Sequence, residues 1–444
     1  MAKRGKKMSI LTFKGGVHPY DGKELSKDVA VRKVNPGKEV VIPVSQHIGA
    51  PAVPVIEIGD RVLKGQLIAK ANGFVSANIH SSISGTVKKI EPRLVPNGSK
   101  VLSIIIENDE QYEEMEYEVP SEPFTKEYIR ESVKECGVVG LGGACFPTHV
   151  KLAPKDENAI DYIIVNGAEC EPYITSDYRR LVENPKEVIE GLKIILQLFD
   201  NAKGVIAIEN NKMDVIENLT KLTANEDRIQ VATLKTKYPQ GSERHIIHAV
   251  TKRKINSSML PAAAGCIVDN VDTVYNVYRA VKLHKPLTER IVTVSGDGVK
   301  NPCNLEVPFG TMHQLIVDEA GGIDENTEKI LSGGPMMGQA MFNLDVPVIK
   351  GSSALLAFKH DQVAHGTMTN CLNCGKCVQV CPEGLVCAKL AQAAVADDME
   401  GFIKMHGMEC IECGTCNFNC PANRNITQSV RTMKRKVQAS RRKG

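Results

Sequence analysis

The amino-acid sequence predicts a multidomain protein of the α/β class. At 444 residues the chain is too long for one compact domain. Its hydrophobic pattern changes from short strand-like runs to alternating strands and helices, and then back to strands. Its last eighty or so residues contain the same cysteine pattern twice. We therefore expect a β module, an α/β domain, a second β module and a mainly helical cysteine-rich domain, over residues 1–120, 121–286, 287–360 and 361–444.

The first expected module combines an extended segment with a small β structure. Residues 1–45 are rich in Gly, Lys and Pro and contain GGVHP, so we interpret them as a wrapping segment. Downstream, GDRVLKGQLI and SGTVKKI resemble the two halves of the barrel-sandwich hybrid of biotinyl and lipoyl domains. Those domains carry a modified lysine between methionines, whereas the hairpin here is AKANGFVSANIH. The module is therefore predicted to be a scaffold, with Lys70 a surface lysine.

The middle of the chain alternates strands with amphipathic helices. AIDYIIVNG is a nearly continuous apolar strand, which is typical of a strand buried on both faces. Alternation of this kind implies a parallel sheet that binds ligands at its carboxyl edge. From residue 287 the pattern returns to β and resembles a β-grasp module of the SLBB kind. We interpret Met336 and Met337 in its GGPMMGQ stretch as packing residues.

The cysteine-rich region carries the strongest chemical signal. Eight of the fourteen cysteines form two copies of C-x-x-C-x-x-C-x-x-x-C-P. In this spacing three thiolates bind one 4Fe-4S cluster, and the cysteine before proline reaches the other cluster. Zinc is the alternative for paired C-x-x-C, but it favours four ligands with one long gap. We therefore predict a Cys371 set (Cys371, Cys374, Cys377, Cys420) and a Cys410 set (Cys381, Cys410, Cys413, Cys416), each holding a cluster that carries single electrons.

A glycine-rich loop marks a second candidate site. Four glycines occur within residues 137–143, which lets backbone N–H groups approach a phosphate or a flat ring. The pattern is not GxGxxG and is weak by itself. The apolar strand that follows it ends in Asn166, with Glu169 and Glu171 just beyond.

Residues 137–172 resemble the flavin loop of the NADH-oxidising flavoprotein subunit of respiratory complex I. The likeness rests on GxGGxxFPTxxK, followed by a strand that ends in an acid-x-Glu-Pro turn. The resemblance implies that bound FMN is non-covalent, and no covalent attachment motif is present. It also implies that Phe146 and Glu171 face NAD(H) as catalytic residues, and that FMN is contacted by Gly140, Gly142, Gly143, Lys151, Asn166 and Glu169.

Two later stretches extend the same resemblance. Tyr238, Gly241, Ser242 and Glu243 resemble a turn that closes the pocket, which adds Glu243 to the FMN residues. VDNVDT resembles INNVET and implies that Asp269 and Asn270 lie near the flavin phosphate. The chain departs from the complex I pattern at two positions. Leu141 replaces Arg and Asp269 replaces Asn, so phosphate binding is expected to be arranged differently.

The order of modules resembles the family of the C subunit of the Rnf electron-transport complexes. The barrel-sandwich module comes first, the two cluster motifs come last, and GGVHP and SQHIGAP near the N-terminus also fit. The resemblance implies an enzyme subunit that exchanges hydride between NADH and FMN. It would pass single electrons through two 4Fe-4S clusters to or from membrane and iron–sulfur partner subunits, and indirectly ferredoxin.

Two other functions stay open. One is a soluble flavin and iron–sulfur reductase such as a cobalamin reductase, although the ferredoxin part lies mid-chain there and at the end here. The other is a non-catalytic electron-wire subunit with an inactive nucleotide pocket, for which Leu141 is the sole indication.

Charge and hydropathy limit the expected partners and location. The net charge of +3 gives no chain-wide field for nucleic acid. No window has the roughly 18 apolar residues of a membrane span, and no signal peptide is recognisable. We therefore expect a peripheral protein at the cytoplasmic face of the membrane. Basic residues cluster at both ends and are interpreted either as solvated tails or as docking segments.

Overall fold

The N-terminal module consists of two facing antiparallel sheets. The computed structural model describes residues 10–441. In this range a short 3-10 turn at Lys23–Leu25 precedes β1 (Arg32–Lys33), which joins a distant sheet described below. The module's own strands are β2 (Glu39–Pro43), β3 (Val53–Pro54), β4 (Arg61–Val62), β5 (Leu67–Lys70), β6 (Ile79–His80), β7 (Gly85–Leu94) and β8 (Lys100–Asn108).

The two sheets have the orders β2-β8-β7-β4 and β3-β5-β6. Alternate side chains such as Val40, Ile42, Ile104 and Ile106 are buried between them. Each such aliphatic side chain stabilises the fold by about 1.5–3 kcal/mol when fully buried. Lys70 is exposed, as predicted.

The middle of the chain forms a parallel four-stranded sheet of order β11-β10-β9-β12. Because β12 lies on the opposite side of β9 from β10, the strand order reverses beside β9. In open α/β sheets such a switch point is where ligands bind. The elements are α1 (Lys126–Glu135), α2 (Thr148–Lys151), β9 (Tyr162–Gly167), α3 (Ser176–Glu183), α4 (Pro185–Leu196), β10 (Lys203–Glu209), α5 (Met213–Leu222), β11 (Ile229–Leu234), α6 (Glu243–Thr251), β12 (Cys266–Asn270) and α7 (Val271–Lys282).

Both faces of this sheet are covered, as the continuous apolar strand predicts. Ile163 and Val165 of β9 pack into a large core with α1, α4 and α7. Ile164, between them in sequence, faces the other side and packs with Ile246 and Ile247 of α6. Period-two alternation therefore divides one apolar strand between two cores.

The second β module has a six-stranded mixed sheet of order β1-β14-β13-β17-β15-β16. Its edge strand β1 comes from the segment interpreted as an extended wrapping segment, and pairs Arg32 with Leu305. The remaining elements are β13 (Glu289–Ser295), β14 (Cys303–Pro308), α8 (His313–Glu319), β15 (Lys329–Ser332), β16 (Gln339–Met341) and β17 (Ala354–Phe358).

The cysteine-rich region is mainly helical, as expected. Its core contains Leu390, Phe402, Val430 and Val437. The helices are α9 (Gln362–His365), α10 (Lys376–Gln379), α11 (Cys387–Val395), α12 (Met399–Lys404), α13 (Thr415–Phe418) and α14 (Ile426–Arg441). No helix within residues 10–441 is long and apolar enough to cross a membrane.

The basic residues near the chain ends do not share one environment. Arg435, Lys436 and Arg441 of α14 are exposed. Arg431 and Lys434 of α14 are not solvated tail residues, because they bind Glu412 at 2.8 and 3.0 Å. Lys3, Arg4, Lys6, Lys7, Arg442 and Lys443 lie outside the described residues.

Candidate functional site

The glycine-rich loop is a tight turn closed by backbone hydrogen bonds. The N–H of Gly140 donates to the Phe146 carbonyl at 2.8 Å, and the N–H of Cys145 donates to the Gly140 carbonyl at 3.1 Å. No residue in the described part of the chain accepts a hydrogen bond from the N–H groups of Gly142 and Gly143, which are exposed. A Cβ on Gly143 would meet no described atom within 4 Å. The loop therefore offers unpaired N–H groups and open space to an anionic or planar ligand.

A buried cation lies beneath this loop although position 141 carries none. The Leu141 side chain is buried, and its N–H donates to Thr273 Oγ1 at 2.8 Å. The Leu141 carbonyl accepts a hydrogen bond from Nη2 of the buried Arg290 at 3.2 Å. Positive charge thus reaches the loop from the second β module, and not from a side chain of the loop itself.

Lys151, Glu243 and Asp269 form one charged group at the carboxyl end of β12. Lys151 Nζ donates to the Val268 carbonyl at 2.7 Å and lies 3.5 Å from Glu243 Oε1 and 3.6 Å from Asp269 Oδ1. Burial acts to lower the pKa of Lys151, but Asp269 and Glu243 hold that pKa above its usual value. Burial raises the pKa of Asp269 to about 6. Neither carboxylate oxygen of Asp269 has a hydrogen-bond partner among residues 10–441.

Asn166 and Asn270 end adjacent strands and tie the loops of the carboxyl edge together. Asn166 Nδ2 donates to the Gly241 carbonyl at 2.8 Å, which holds the turn before α6 against β9. Asn270 caps α7 by accepting the N–H of Asp272 at 2.9 Å. Its Nδ2 donates to Asp177 Oδ2 at 2.6 Å. Asp177 was not predicted as a site residue.

Glu169 has a structural partner on one carboxylate oxygen. Its Oε1 accepts the N–H of Asp177 at 2.7 Å, which satisfies a free donor at the start of α3. Its Oε2 lies 3.8 Å from Nζ of the buried Lys23 and has no hydrogen-bond partner in the described part of the chain. Lys23 comes from the N-terminal segment, far away in sequence.

Glu171 sits apart from these groups, against the second β module. Its Oε2 accepts the N–H of Met336 at 3.0 Å. A side chain on Gly334 would collide with the Glu171 side chain, so a larger residue there would displace Glu171. Burial raises the pKa of Glu171 to about 7, although the N–H groups of Met336 and Met337 act in the opposite direction. The interpretation of Met337 as a packed core residue is wrong, because it is exposed.

Phe146 is half-buried on the glycine-rich loop. No other aromatic ring within the described ranges stacks on it. The structure therefore brings most of the predicted flavin residues to one sheet edge, with Phe146 on the loop and Glu171 beside the second β module.

The two cysteine loops have the same backbone conformation. Asn373 and Glu412, which precede the second cysteine of each motif, have φ values of 51° and 58°. Gly375 and Gly414, which follow it, have φ values of 74° and 83° and begin equivalent short helices. The sequence repeat is therefore also a structural repeat, which fits two sites of the same kind.

The Cys410 set faces the α/β domain. The buried Tyr238 donates its hydroxyl to the Cys413 carbonyl at 2.8 Å. Arg244, next to Glu243, lies 3.4 Å from Glu383 and 3.1 Å from Glu409, one in each cysteine loop. Both loops are thus held against the helix that begins at the candidate flavin site.

In the Cys410 set, Cys413 and Cys416 are buried, and Cys381 and Cys410 are half-buried. Burial raises the pKa of Cys410 to about 12, and the neighbouring Cys416 and Cys413 act in the same direction. Burial raises the pKa of Cys413 to about 11, with Cys416 and Cys381 adding to the effect. Because thiolates are the ligands of iron, bound iron would supply the positive charge that offsets this burial.

The Cys371 set lies farther out. Cys371 and Cys374 are exposed, whereas Cys377 and Cys420 are half-buried. Leu372, between the two exposed cysteines, is also exposed. We therefore call the Cys410 set the inner set and the Cys371 set the outer set.

Cys387 lies outside both cysteine motifs, between Cys381 and Cys410 in sequence. It is buried in the helical core, and its thiol donates to the Cys377 carbonyl at 3.5 Å. Hydrogen bonding with Cys381, and to a smaller extent with Cys416, raises the pKa of the Cys387 thiol far above its usual value. A ninth thiol therefore adjoins the Cys410 set, although nothing in its spacing indicated this.

The residues present fit both expected groups. Unpaired N–H groups on Gly142 and Gly143, with Lys151 at the same sheet edge, suit a flavin phosphate or ring. Some buried carboxylate oxygens of Asp269 and Glu169 have no hydrogen-bond partner within residues 10–441. These oxygens suit the hydroxyl groups of a ligand. Two equivalent loops with four thiols in each predicted set suit two clusters.

Three family models match parts of the chain. Residues 11–111 match the RnfC barrel sandwich hybrid domain, residues 133–279 the Nuo51 FMN-binding domain, and residues 291–340 the SLBB domain. The predicted fold class and the SLBB resemblance are confirmed. Together the fold and the site define a subunit of an NADH dehydrogenase-type oxidoreductase with an FMN-binding domain.

Relatives of known name identify the family. The chain is 40% identical over 440 residues to the C subunit of the Na(+)-translocating ferredoxin:NAD(+) oxidoreductase complex of Acetobacterium woodii, covering 98% of each chain. It is 43% identical over 376 residues to the C subunit of the proton-translocating complex of Clostridium ljungdahlii, covering 84% of this chain and 82% of the relative. The chain belongs to the family of C subunits of the ion-translocating ferredoxin:NAD(+) oxidoreductase complexes, as the resemblance predicts.

Solved structures support the fold alone. A crystal structure of NAD+-reducing [NiFe]-hydrogenase in the H2-reduced state matches 72% of this chain with a TM-score of 0.50 at 17% identity. The air-oxidized state of that enzyme matches with a TM-score of 0.51 at 18% identity. The matched region spans 62% and 61% of the two hydrogenase chains.

Proposed function

We propose that this subunit exchanges hydride with NAD(H) at a non-covalent FMN and passes single electrons through two 4Fe-4S clusters. The observation that carries the proposal is the contact between Tyr238, on the turn beside the flavin loop, and Cys413 of the Cys410 set. It links a candidate two-electron site directly to a candidate one-electron site.

The predicted flavin residues would contact FMN partly through the backbone and partly through side chains. Gly140, Gly142 and Gly143 would hold the cofactor through the loop backbone, with Lys151 as the nearby positive charge. Further contacts at the carboxyl edge of the sheet would come from Asn166, Glu169, Glu243, Asp269 and Asn270. Residues 137–143 lie at a switch point of the sheet, where pyrophosphate and flavin groups bind in other α/β proteins.

Phe146 and Glu171 would hold the nicotinamide nucleotide. An aromatic ring on the loop offers a face on which the nucleotide can stack, which aligns it for transfer. Glu171 has one carboxylate oxygen on the Met336 N–H, while Oε1 has no partner among the described residues and can accept a nucleotide hydroxyl. No general acid–base pair is required of the protein, because orientation and exclusion of water govern hydride transfer.

FMN held by these residues would supply the conversion between two-electron hydride exchange with NAD(H) and one-electron transfer, and clusters held by the two cysteine sets would each supply a one-electron carrier. The protein itself would set the distance between the flavin and the clusters. Tyr238 and Arg244 hold the Cys410 set against the flavin domain, and Cys371 and Cys374 are exposed at the outer end. We propose the order flavin, Cys410 set, Cys371 set, and then a partner.

The partner is proposed to be an iron–sulfur or membrane subunit of the same complex, through which ferredoxin exchanges electrons. The names of the relatives, which are subunits of ion-translocating complexes, support this assignment. We place the protein peripherally at the cytoplasmic face of the membrane, where NAD(H) is available.

Anaerobic reconstitution with iron, sulfide and FMN, followed by NADH, tests the proposal. We expect about eight irons and one FMN per chain, and bleaching of both flavin and cluster absorbance. Glu171→Gln and Phe146→Ala should each slow bleaching while iron content is retained. Full FMN uptake without any bleaching would leave only the electron-wire function.

The soluble reductase alternative is tested with the assembled complex. Membranes carrying the complex should catalyse NADH-dependent reduction of ferredoxin or the reverse reaction, and Glu171→Gln should slow it. Membranes without this protein should lack that activity. Full activity in its absence would overturn the assignment to the complex.

A further inference from the structure

The N-terminal segment runs between the two candidate redox sites. We call residues 11–25 the strap. It begins at the edge of the parallel sheet, where the N–H of Leu11 donates to the Thr233 carbonyl at 2.8 Å and the N–H of Lys235 donates to the Leu11 carbonyl at 2.8 Å. The strap therefore adds a bridge beside β11 before it leaves the sheet.

The strap next contacts a cluster ligand. The N–H of Gly16 donates to the Val380 carbonyl at 2.9 Å. A Cβ on Gly15 would lie only 2.9 Å from the Cys381 carbonyl oxygen and 3.1 Å from that of Val380. Gly15 also has a φ of +85°, which favours glycine. The backbone at Val380 and Cys381 therefore packs directly against Gly15 and Gly16 of the strap.

The same stretch of the strap holds the turn beside the flavin loop. Val17 and Tyr238 exchange two backbone hydrogen bonds, of 2.8 and 2.9 Å. Val17, Tyr238 and Cys413 form a small buried cluster with Cys170 and Met336 at its edge. The strap thus packs against both the turn beside the flavin loop and the loop of Cys413.

Lys237 fixes this part of the strap. Its Nζ donates to the carbonyls of Phe13 and Gly15, the latter at 2.9 Å, and lies 3.8 Å from the centre of the Phe13 ring. The Phe13 ring packs on His245 of α6 with 4.6 Å between ring centres.

Farther along, the strap supports the acidic turn after β9. Nζ of the buried Lys23 donates to the carbonyls of Glu171, at 3.1 Å, and Ile174. It also lies 3.8 Å from Glu169 Oε2. The N–H of Tyr173 donates to the Asp21 carbonyl at 2.6 Å. One short peptide therefore contacts the loop of a predicted cluster ligand and the turn that carries Glu169, predicted to bind FMN, and Glu171, predicted to face NAD(H).

We propose that the strap is a positioning element for electron transfer: Gly15 and Lys237 set the spacing between the flavin site and the Cys410 set. This inference rests on the proposed function. It predicts that altering the strap slows the step between flavin and cluster while reduction of the flavin by NADH is retained. A purely structural role would instead lower cofactor content or slow both steps alike.

Gly15→Ala is the direct test, with Gly73→Ala as its matched control. Both glycines have positive φ values, +85° and +95°, but a Cβ at Gly73 would meet no described atom within 4 Å. In stopped-flow mixing with NADH, we expect flavin bleaching at the unsubstituted rate in both variants. We expect cluster reduction, followed by freeze-quench EPR, to be slowed on the order of tenfold in Gly15→Ala alone, since small displacements of reacting groups lower rates steeply.

Lys237→Met gives a second test that leaves the backbone at Cys381 untouched, with the exposed Lys235→Met as its control. We expect the same selective slowing, of a few-fold, and unchanged iron and FMN content. Equal cluster-reduction rates in Lys237→Met and Lys235→Met would overturn the proposal. Absence of flavin bleaching in the unsubstituted protein would instead overturn the proposed function, so the two failures are distinguishable.

Discussion

The Tyr238 hydroxyl donates a hydrogen bond to the Cys413 carbonyl at 2.8 Å in a buried setting. Burial raises the pKa of Tyr238 far above its usual value, so the hydroxyl stays protonated and remains a donor. Through this bond the turn beside the flavin loop holds a loop of the Cys410 set. The contact joins residues 175 positions apart, and neither motif by itself predicts it.

Tyr238→Phe should destabilise the junction between these two regions. It leaves the Cys413 carbonyl without its donor, which costs about 1–3 kcal/mol. We expect a lower denaturation midpoint and a changed EPR spectrum for the cluster of the Cys410 set, with FMN content retained. Tyr112→Phe, at an exposed tyrosine outside the strap, is the control. Identical midpoints and spectra in the two variants would contradict the contact.

Arg244→Gln should loosen the cysteine-rich region in a salt-dependent way. Arg244 pairs with Glu383 and Glu409, whose side chains are partly exposed. We expect a loss of about 1–2 kcal/mol at low salt and less at high salt. Denaturation midpoints at two salt concentrations measure it, with Arg61→Gln as an exposed arginine control. A midpoint that falls no further in Arg244→Gln than in the control would count against a stabilising role for these two ion pairs.

Glu171→Gln should remove part of the pH dependence of stability. The pKa of Glu171 is raised from 4.5 to about 7 in the folded protein, so its stabilising contribution is complete below pH 4.5 and is lost as pH rises through 7. The loss approaches about 3 kcal/mol above pH 8. The variant should therefore gain stability over the unsubstituted protein between pH 5 and 8, measured by denaturation without nucleotide. A difference that does not change with pH would contradict this environment for Glu171.

Lys151→Met should weaken flavin binding. A charge-assisted hydrogen bond contributes about 1.5–3 kcal/mol, so FMN affinity should fall about ten- to a hundredfold. Lys155→Met, a few residues away and exposed, should bind FMN normally. Quenching of FMN fluorescence on binding measures both dissociation constants. Equal affinities would remove Lys151 from the flavin site.

The cysteine and glycine motifs could be predicted from sequence because each is local. Spacing within a few residues determines which thiols can bind one cluster, and the structure repeats the same left-handed residues in both loops. The parallel sheet could be predicted for a similar reason, since Ile163, Ile164 and Val165 form a continuous apolar strand.

The supporting residues could not be predicted in this way. Lys23, Arg290 and Met336 reach the site from other modules, and no periodicity indicates which loop they will meet. Of the two methionines interpreted as packing residues, Met336 packs at the edge of a buried cluster and Met337 is exposed. The contact of the Met336 N–H with Glu171 could not be predicted from the GGPMMGQ stretch. Arg290 explains how the loop acquires a positive charge although Leu141 replaces an arginine.

Freeze-quench EPR of two cysteine variants after mixing with NADH tests the proposed electron path most directly. Cys371→Ser should impair the outer cluster, while the cluster of the Cys410 set is still reduced at the unsubstituted rate. Cys413→Ser should impair the inner cluster and leave the outer one oxidised although the flavin is reduced. Rapid reduction of the outer cluster in Cys413→Ser, with an oxidised inner cluster in Cys371→Ser, would contradict the order flavin, Cys410 set, Cys371 set.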